Sequence, residues 1–323
     1  MSEFWRNYPE IFEELNDVRN IMKKNIKGSD TYLNNSIIPL VEQGGKMLRP
    51  AFVLLSGKFG EYNGEKIRNI AAVVEMLHLA TLIHDDIIDN SKLRRGCETI
   101  QSKYGKDFAV YAGDYLFCHC FDMLSKHDYS MENLRNVSKA IKKICIGEIR
   151  QNYFRYTSKI NFNKYIRIIS GKTAALFSLS FMVGASEAKC DLPLVRTLGN
   201  VGYNIGMAFQ IIDDLLDYTG DIEKLGKATQ NDLKQGYYTL PIIFALEEDK
   251  KGELASILDS SSFEKDDIKA IFELVKKFNG IEKSKALVER YSKKAFKNIK
   301  KLPDCESKMI LSEVLQTLIH RKY

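Results

Sequence analysis

The chain is predicted to be all-α. Apolar residues recur at helical spacing through most of its 323 residues, and they make up 45% of the composition, enough for a sizeable core. Only six prolines interrupt the sequence and glycine, at 20, is not enriched. Runs that alternate in the manner of strands between turn signals are scarce. The helices that emerge are too apolar to form a surface array, so they must pack on one another.

The elements follow in order. A first helix is expected over 12–26 and a second over 34–57. The second stops at 58–65, where Gly60, Asn63 and Gly64 mark a loop. A third helix over 65–89 ends in an acidic run and gives way to a basic loop, 90–106. Helices over 107–127, 131–157 and 162–186 come next. After a short loop at 187–193, the helix 192–219 ends in a second acidic run, again followed by a loop with basic residues, 218–236. Helix 237–248, a loop over 249–266 rich in Asp, Lys and Ser, and helices 267–278 and 282–301 complete the reading. The repeated sequence of helix, acid cluster and basic loop resembles a weak internal repeat. No Pro/Ser-rich linker divides the chain, so one domain over 1–323 is expected, with the helices after about 250 as a peripheral cap.

The acidic runs carry the chemistry. His84-Asp85-Asp86-Ile87-Ile88-Asp89 and Ile212-Asp213-Asp214-Leu215-Leu216-Asp217 share one internal spacing. Residues at i and i+4 lie on one helix face, about 6 Å apart along the axis. Asp85 therefore points with Asp89, and Asp213 with Asp217. Like charges so placed repel, and a hard divalent cation compensates them. Magnesium suits carboxylate oxygens and is commonly completed by substrate phosphates. Two such runs point to two halves of one metal site. Solvated acidic helix ends are disfavoured by the apolar neighbours Ile83, Ile87, Ile211 and Leu215.

Basic residues complete the pattern. Gly44-Gly45-Lys46-Met47-Leu48-Arg49-Pro50 sets Lys46 and Arg49 behind a diglycine, which lets backbone approach a phosphate closely. Lys46 offers a point charge and Arg49 a planar fork. Arg94-Arg95-Gly96 follows the first acidic run, and Lys224, Lys227 and Lys234 follow the second. His78 lies two turns before Asp85 on the same face, whereas His84 is one residue off it and reads as a packing group. Lys172 and Thr173 follow Gly171, and Gln210 shares a face with Asp213, Asp214 and Asp217. The economical inference is two diphosphate substrates, one held through metal and one by side chains directly.

Bulk properties exclude other classes. The net charge of +6 is spread over helix faces, and no basic run is interleaved with aromatics, so nucleic-acid binding is not expected. Six cysteines show no disulfide or zinc rhythm and read as reduced thiols of a cytoplasmic protein. The start, Met-Ser-Glu-Phe-Trp-Arg, is not a secretory signal. The most apolar window, Ala174–Ala185, is shorter than the ~20 residues a bilayer requires, so no transmembrane segment is expected.

These motifs, in this order, resemble the trans-polyprenyl (isoprenyl) diphosphate synthase family. The resemblance rests on Gly-Gly-Lys-Met-Leu-Arg-Pro (44–50), Glu-Met-Leu-His-Leu-Ala-Thr-Leu-Ile-His-Asp-Asp-Ile-Ile-Asp (75–89) and Leu-Arg-Arg-Gly (93–96). It extends through Tyr-Ala-Gly-Asp-Tyr-Leu (111–116), Gly-Glu-Ile-Arg-Gln (147–151), Gly-Lys-Thr-Ala (171–174), Phe-Gln-Ile-Ile-Asp-Asp-Leu-Leu-Asp (209–217) and Leu-Gly-Lys (225–227). Among subgroups, the chain looks most like the catalytic subunit of bacterial heptaprenyl and octaprenyl diphosphate synthases.

The resemblance implies a helical bundle of the isoprenoid synthase type around a central apolar cavity. It implies a prenyltransferase that condenses isopentenyl diphosphate with an allylic diphosphate such as farnesyl diphosphate, with Mg2+ as cofactor. It assigns metal ligation to Asp85, Asp89 and Asp213, with Asp86, Asp214 and Asp217 in support. Arg94, Lys172 and Lys227 are expected on the allylic diphosphate, and Lys46, Arg49, His78 and Arg95 on isopentenyl diphosphate. Thr173 and Gln210 are expected to face the transient cation. Tyr237 stands where many relatives carry a second lysine, which puts one phosphate contact in doubt.

Product length is expected to be set by side chains one or two turns before Asp85. Ala80 and Thr81 are small there, which predicts a product beyond geranylgeranyl. Two other readings stay open: a class I terpene cyclase, and an active-site subunit that needs a helper chain. A homodimer or a heterodimer is expected, and peripheral membrane contact for product release is compatible with the sequence.

Overall fold

The computed structural model describes residues 3–27, 30–219, 231–260 and 263–319. In chain order its helices are α1 (Pro9–Ile26), α2 (Thr31–Gln43), α3 (Leu48–Gly57), α4 (Gly64–Ile88), α5 (Ile100–Tyr104), α6 (Lys106–Ser125), α7 (Met131–Tyr153), α8 (Phe162–Ile169), α9 (Ala175–Glu187), α10 (Leu192–Thr219), α11 (Asn231–Lys234), α12 (Leu240–Glu248), α13 (Glu253–Leu258), α14 (Lys265–Lys277), α15 (Gly280–Ile299) and α16 (Glu306–Ile319). One two-stranded hairpin, β1 (Leu93–Arg94) with β2 (Cys97–Glu98), is the only sheet among the described residues. The all-α expectation holds.

The chain divides into two compact units. The first comprises Met1–Ser138, Leu179–Gly199 and Pro303–Ile310, and the second Lys139–Ser178, Asn200–Leu302 and Leu311–Tyr323.

In the first unit, α4 is the central element and packs against α1, α3 and α6. Its run Ile67, Ile70, Ala71, Ala72, Val73, Val74, Met76, Leu77 and Ala80 is buried on all sides. That pattern suits a helix enclosed by neighbours better than a one-sided amphipathic one. Asn63 caps its start by accepting from the Lys66 N–H. Phe52 of α3 stacks on Phe181 of α9 at 4.7 Å between ring centroids. The single tryptophan, Trp5, is fully buried, and its indole donates to the Lys46 carbonyl.

The predicted helix 34–57 is instead two helices. Gly44-Gly45-Lys46-Met47 breaks it, with Gly44 at φ 35° and Met47 at φ 51° in the left-handed region. The diglycine supplies the freedom the sequence reading saw, but the chain uses it to turn.

In the second unit, α8, α10, α12, α14 and α15 share one core that includes Ile169, Ile211, Leu215, Leu240, Ile243, Ile271 and Val288. The predicted helix 162–186 is interrupted: residues Ser170–Ala174 form a π-helical turn between α8 and α9. Together, Phe162–Glu187 make a 26-residue helical run with a window of mean hydropathy 1.4, long and apolar enough to cross a membrane by length and composition. This corrects the estimate drawn from Ala174–Ala185 alone. In the fold, 78% of that window is buried within the protein, as in a core helix.

Candidate active site

In the first unit, the first acidic run closes α4, with Asp89 as its C-cap and no basic residue in the last turn. Helix C-termini carry partial negative charge and favour cations, so aspartates here oppose the usual preference. Something positive must offset them. For Asp86 that partner is visible. It is buried, and Arg94 grips it from β1, with Nε 2.8 and 3.0 Å from the two carboxylate oxygens and Nη2 2.8 Å from Oδ1. Burial pushes the Asp86 carboxyl upward, and the Arg94 contact pulls it back. Asp85 and Asp89, the pair on one face, are half-buried.

Arg94 and Arg95 sit on the β1–β2 hairpin. Its two-residue tip is Arg95 (φ 52°) and Gly96 (φ 81°), both left-handed, as a type I′ turn requires. Gly96 accepts that conformation without a Cβ penalty, and Arg95 bears the strain. The Arg95 guanidinium reaches Gly45: a Cβ there would stand 2.6 Å from its Nη2. At Gly44 a Cβ would stand 2.7 Å from Nη2 of Arg19, on α1. The diglycine thus makes room for two arginines, a different use from the close phosphate approach read from sequence.

These cations converge on α4. Glu75 feels Arg49, Arg95 and Arg19, which counter the upward push of its burial. His78 is driven well below its ordinary range, by burial first and then by Arg49, Arg95 and Arg94. It is therefore neutral, with one donor and one acceptor nitrogen, and contributes hydrogen bonding in place of charge. Lys46 lies over the Phe4 ring at 5.4 Å, held in the loop that Trp5 anchors. His84 approaches α6 instead, 3.3 Å from the Val110 carbonyl and 3.4 Å from Asp114, against Gly113.

In the second unit, the π turn carries Lys172 and Thr173. Such turns insert one extra residue and recur at functional sites. Gly147 of α7 and Gly171 meet backbone to backbone: a Cβ on Gly147 would stand 2.6 Å from the Lys172 nitrogen. Glu148, the next residue of α7, and Gln151, one turn along, hold Lys172 Nζ at 3.0 and 2.9 Å. The Gly-Glu-Ile-Arg-Gln motif is the seat of Lys172.

The Thr173 hydroxyl donates to Gln210 Oε1 at 2.6 Å, and Gln210 Nε2 donates to Asp214 Oδ1 at 2.9 Å. The buried Tyr165 hydroxyl donates to the other Asp214 oxygen at 2.6 Å. Burial raises Asp214 to about 7, against the hydrogen bonds from Tyr165 and Gln210 that lower it and with Asp232 and Asp213 adding to the rise; burial raises Asp217 to about 8, with Asp232, Asp214 and Asp213 adding to it. Like the first run, this one ends a helix with no basic residue in its last turn. Lys227 and Lys224 lie outside the described residues.

Tyr237, in place of a lysine, does not leave its position without a cation. The Arg155 guanidinium lies 4.9 Å from its ring centroid and donates from Nε to the Gln235 carbonyl at 2.8 Å. Among the described residues no three His, Cys, Asp or Glu side chains form a ready metal cluster.

The comparisons bear on this arrangement. A family model described as Polyprenyl synthetase matches residues 30–275. The chain belongs to the polyprenyl synthetase family. It is 34% identical over 321 residues to heptaprenyl diphosphate synthase component 2 of Bacillus subtilis (strain 168), covering 99% of this chain and 92% of that one. The crystal structure of heptaprenyl diphosphate synthase from Staphylococcus aureus superposes with a TM-score of 0.90 at 34% identity, covering 97% and 99% of the two chains. A polyprenyl synthase from Caulobacter crescentus CB15, solved with calcium and isoprenyl diphosphate, gives a TM-score of 0.87 at 28% identity over 99% and 97%.

As a polyprenyl synthetase the chain is a trans-prenyltransferase, an enzyme of chain elongation. Within that frame, four residues were given no role from sequence, Glu75 among them although it opens the 75–89 motif. Arg19 and Glu75 join the cationic cluster, Tyr165 joins the Thr173–Gln210–Asp214 chain, and Asp232 adds a fourth carboxylate to the field of the second run. Each is a common residue type in an ordinary helical context, and only the fold brings it to its partners.

Proposed function

We propose that this polyprenyl synthetase is a Mg2+-dependent enzyme that extends an allylic diphosphate, farnesyl diphosphate among them, with isopentenyl diphosphate to a medium or long all-trans product. The observation that carries this is on α4. One end of the helix bears Asp85 and Asp89 in metal-ligand spacing, and about two turns earlier His78 and Glu75 stand in the field of Arg19, Arg49 and Arg95. A metal-held anion and a cation-held anion fit the same helix. The residues suit the metal because both acidic runs occupy helix ends that ask for a cation. Asp85, Asp89 and Asp213 would hold it, with diphosphate oxygens and waters as the remaining ligands. When bound, it supplies Lewis-acid stabilisation of the departing pyrophosphate.

The chain's own residues account for the rest. Arg94, paired with Asp86, binds the allylic diphosphate and fixes the hairpin that carries Arg95. Lys172, seated on Glu148 and Gln151, directs its charge at the allylic diphosphate, which Lys227 also binds. Lys46, Arg49 and Arg95 bind isopentenyl diphosphate, and His78 orients it by hydrogen bonding. Thr173 and Gln210 present oxygen atoms to the allylic cation, in the manner of preorganised electrostatic stabilisation.

The deciding experiment incubates the purified chain with farnesyl diphosphate and radiolabelled isopentenyl diphosphate, with and without Mg2+. Metal-dependent polyprenyl products longer than geranylgeranyl are expected. Hydrocarbon released from geranylgeranyl diphosphate alone would instead identify a cyclase.

The assembly is proposed to be a dimer, either of two copies or with a helper chain. Val110, Tyr111 and Phe121 are exposed along α6, and the Bacillus subtilis relative is named as a component. Size-exclusion chromatography beside the activity assay separates the two. Arg290, Lys293, Lys294 and Lys297 form an exposed cationic stripe on α15 that suits acidic lipid during product release. A cytoplasmic location and a single functional domain complete the proposal.

A further inference from the structure

We propose that Tyr165 is a positioning residue that fixes the polarity of the hydrogen-bond chain ending at Thr173. The inference rests on the reading that Thr173 and Gln210 face the allylic cation. It concerns which end of each dipole they present.

Every donor in the chain points the same way. Toward the ionised form of Asp214 the Tyr165 phenol can only donate, and it does so to Oδ2 at 2.6 Å. That leaves Oδ1 to accept from Gln210 Nε2 at 2.9 Å. An amide turned with its NH2 toward a carboxylate must turn its oxygen away, so Oε1 accepts the Thr173 hydroxyl proton at 2.6 Å. The Thr173 proton is thereby directed inward, and its oxygen lone pairs are left facing out. Reversing the Gln210 amide would reverse the outcome: its NH2 would donate to Thr173, and the hydroxyl proton would face the cation. The first arrangement stabilises developing positive charge, and the second opposes it.

Asp214 and Tyr165 are 5% and 4% exposed, so water does not replace either partner. Tyr165 lies on α8, five residues before the π turn begins, and Asp214 and Gln210 share one face of α10. The phenol thus ties the acceptor to the element that carries Thr173. Without it, a buried carboxylate oxygen loses its donor and the carboxylate loses its fixed orientation.

The test uses the full chain with Mg2+ and inorganic pyrophosphate, wild type against Tyr165→Phe. Two unreactive probes are compared: an ammonium analogue of the allylic cation and its neutral carbon isostere. The wild type is expected to prefer the ammonium probe. Tyr165→Phe is expected to lose about tenfold of that preference, with affinity for the neutral probe within about twofold and KM for isopentenyl diphosphate unchanged. An unaltered preference overturns the inference. A wild type with no preference overturns the reading of Thr173 and Gln210 and the inference with it. Should Tyr165→Phe not fold, neutron diffraction on the deuterated wild type decides. Amide deuterons of Gln210 facing Asp214 sustain the inference, and deuterons facing Thr173 overturn it.

Discussion

The Arg95 guanidinium occupies the space in which a side chain at Gly45 would lie, with Nη2 2.6 Å from the position of its absent Cβ. Gly45→Ala must displace Arg95 from the cluster around His78 and Glu75. Its KM for isopentenyl diphosphate is expected to rise about tenfold, the effect of one lost charged contact, with a smaller change in kcat. Steady-state kinetics with each substrate varied in turn will show it. An unchanged KM would separate Arg95 from this substrate.

Arg94 is the visible partner of a buried Asp86. Removing one member of such a pair leaves the other charged and unsolvated. Arg94→Leu is expected to lower the Tm by several degrees, and the double variant Arg94→Leu/Asp86→Leu to recover most of the loss. Thermal denaturation of the three proteins gives the coupling directly.

Asp217 and Asp214 hold their protons more tightly in the fold than in the unfolded chain, at about 8 and about 7 against 3.8. Their contribution to stability is full below about pH 4 and is lost as pH rises through 7 and 8. In metal-free buffer the Tm is expected to fall across this window. Asp217→Asn should be indistinguishable from wild type near pH 4 and more stable at pH 8.5, by roughly 2 kcal/mol or about 3 °C. A difference that is independent of pH would refute the assignment.

Arg155 over Tyr237 stands near the position where many relatives carry a lysine. Arg155→Ala is expected to raise KM for the allylic diphosphate several-fold, and Tyr237→Lys in the same background to restore it. Kinetics of the single and double variants test this. Failure of the lysine to rescue would leave Arg155 with a packing role only.

Ala80 of α4 is fully buried, one turn and a half before Asp85. Ala80→Phe is expected to shorten the product to farnesyl or geranylgeranyl length while turnover persists. Chromatography of labelled products reads this out, and an unchanged distribution would place the chain-length floor elsewhere.

The helical class and most helix bounds were legible because amphipathic periodicity is clear in α1, α10 and α15, and because α4 and α6 are long, uninterrupted and predominantly apolar. The 192–219 helix matched at both ends. The helices α5, α11, α13 and α16 were not assigned, being short or lying beyond the strongest motifs. The break at 44–47 was hidden by apolar residues on both sides of the diglycine. The β1–β2 hairpin was unreadable because each strand has two residues, too few for any alternation.

At the site, spacing along one helix was enough to pair Asp85 with Asp89, to align His78, and to set Gln210 on the face of the second acidic run. Spacing could not reveal Arg19, Glu75, Tyr165 or Asp232, whose partners are distant in sequence or ordinary in type. Nor could it show that Glu148 and Gln151 exist to hold Lys172, or that His78 is neutral.

The π turn at Ser170–Ala174 sets a rotational phase. One surplus residue turns everything downstream by about 100° relative to an uninterrupted helix. A shortened chain lacking Ser170 would gain a straighter, more regular rod and would swing Thr173 off its bearing toward Gln210. Selection for local helical order and selection for turnover therefore pull in opposite directions at this one position. A homologue that deletes it is expected to keep the bundle and lose the chemistry.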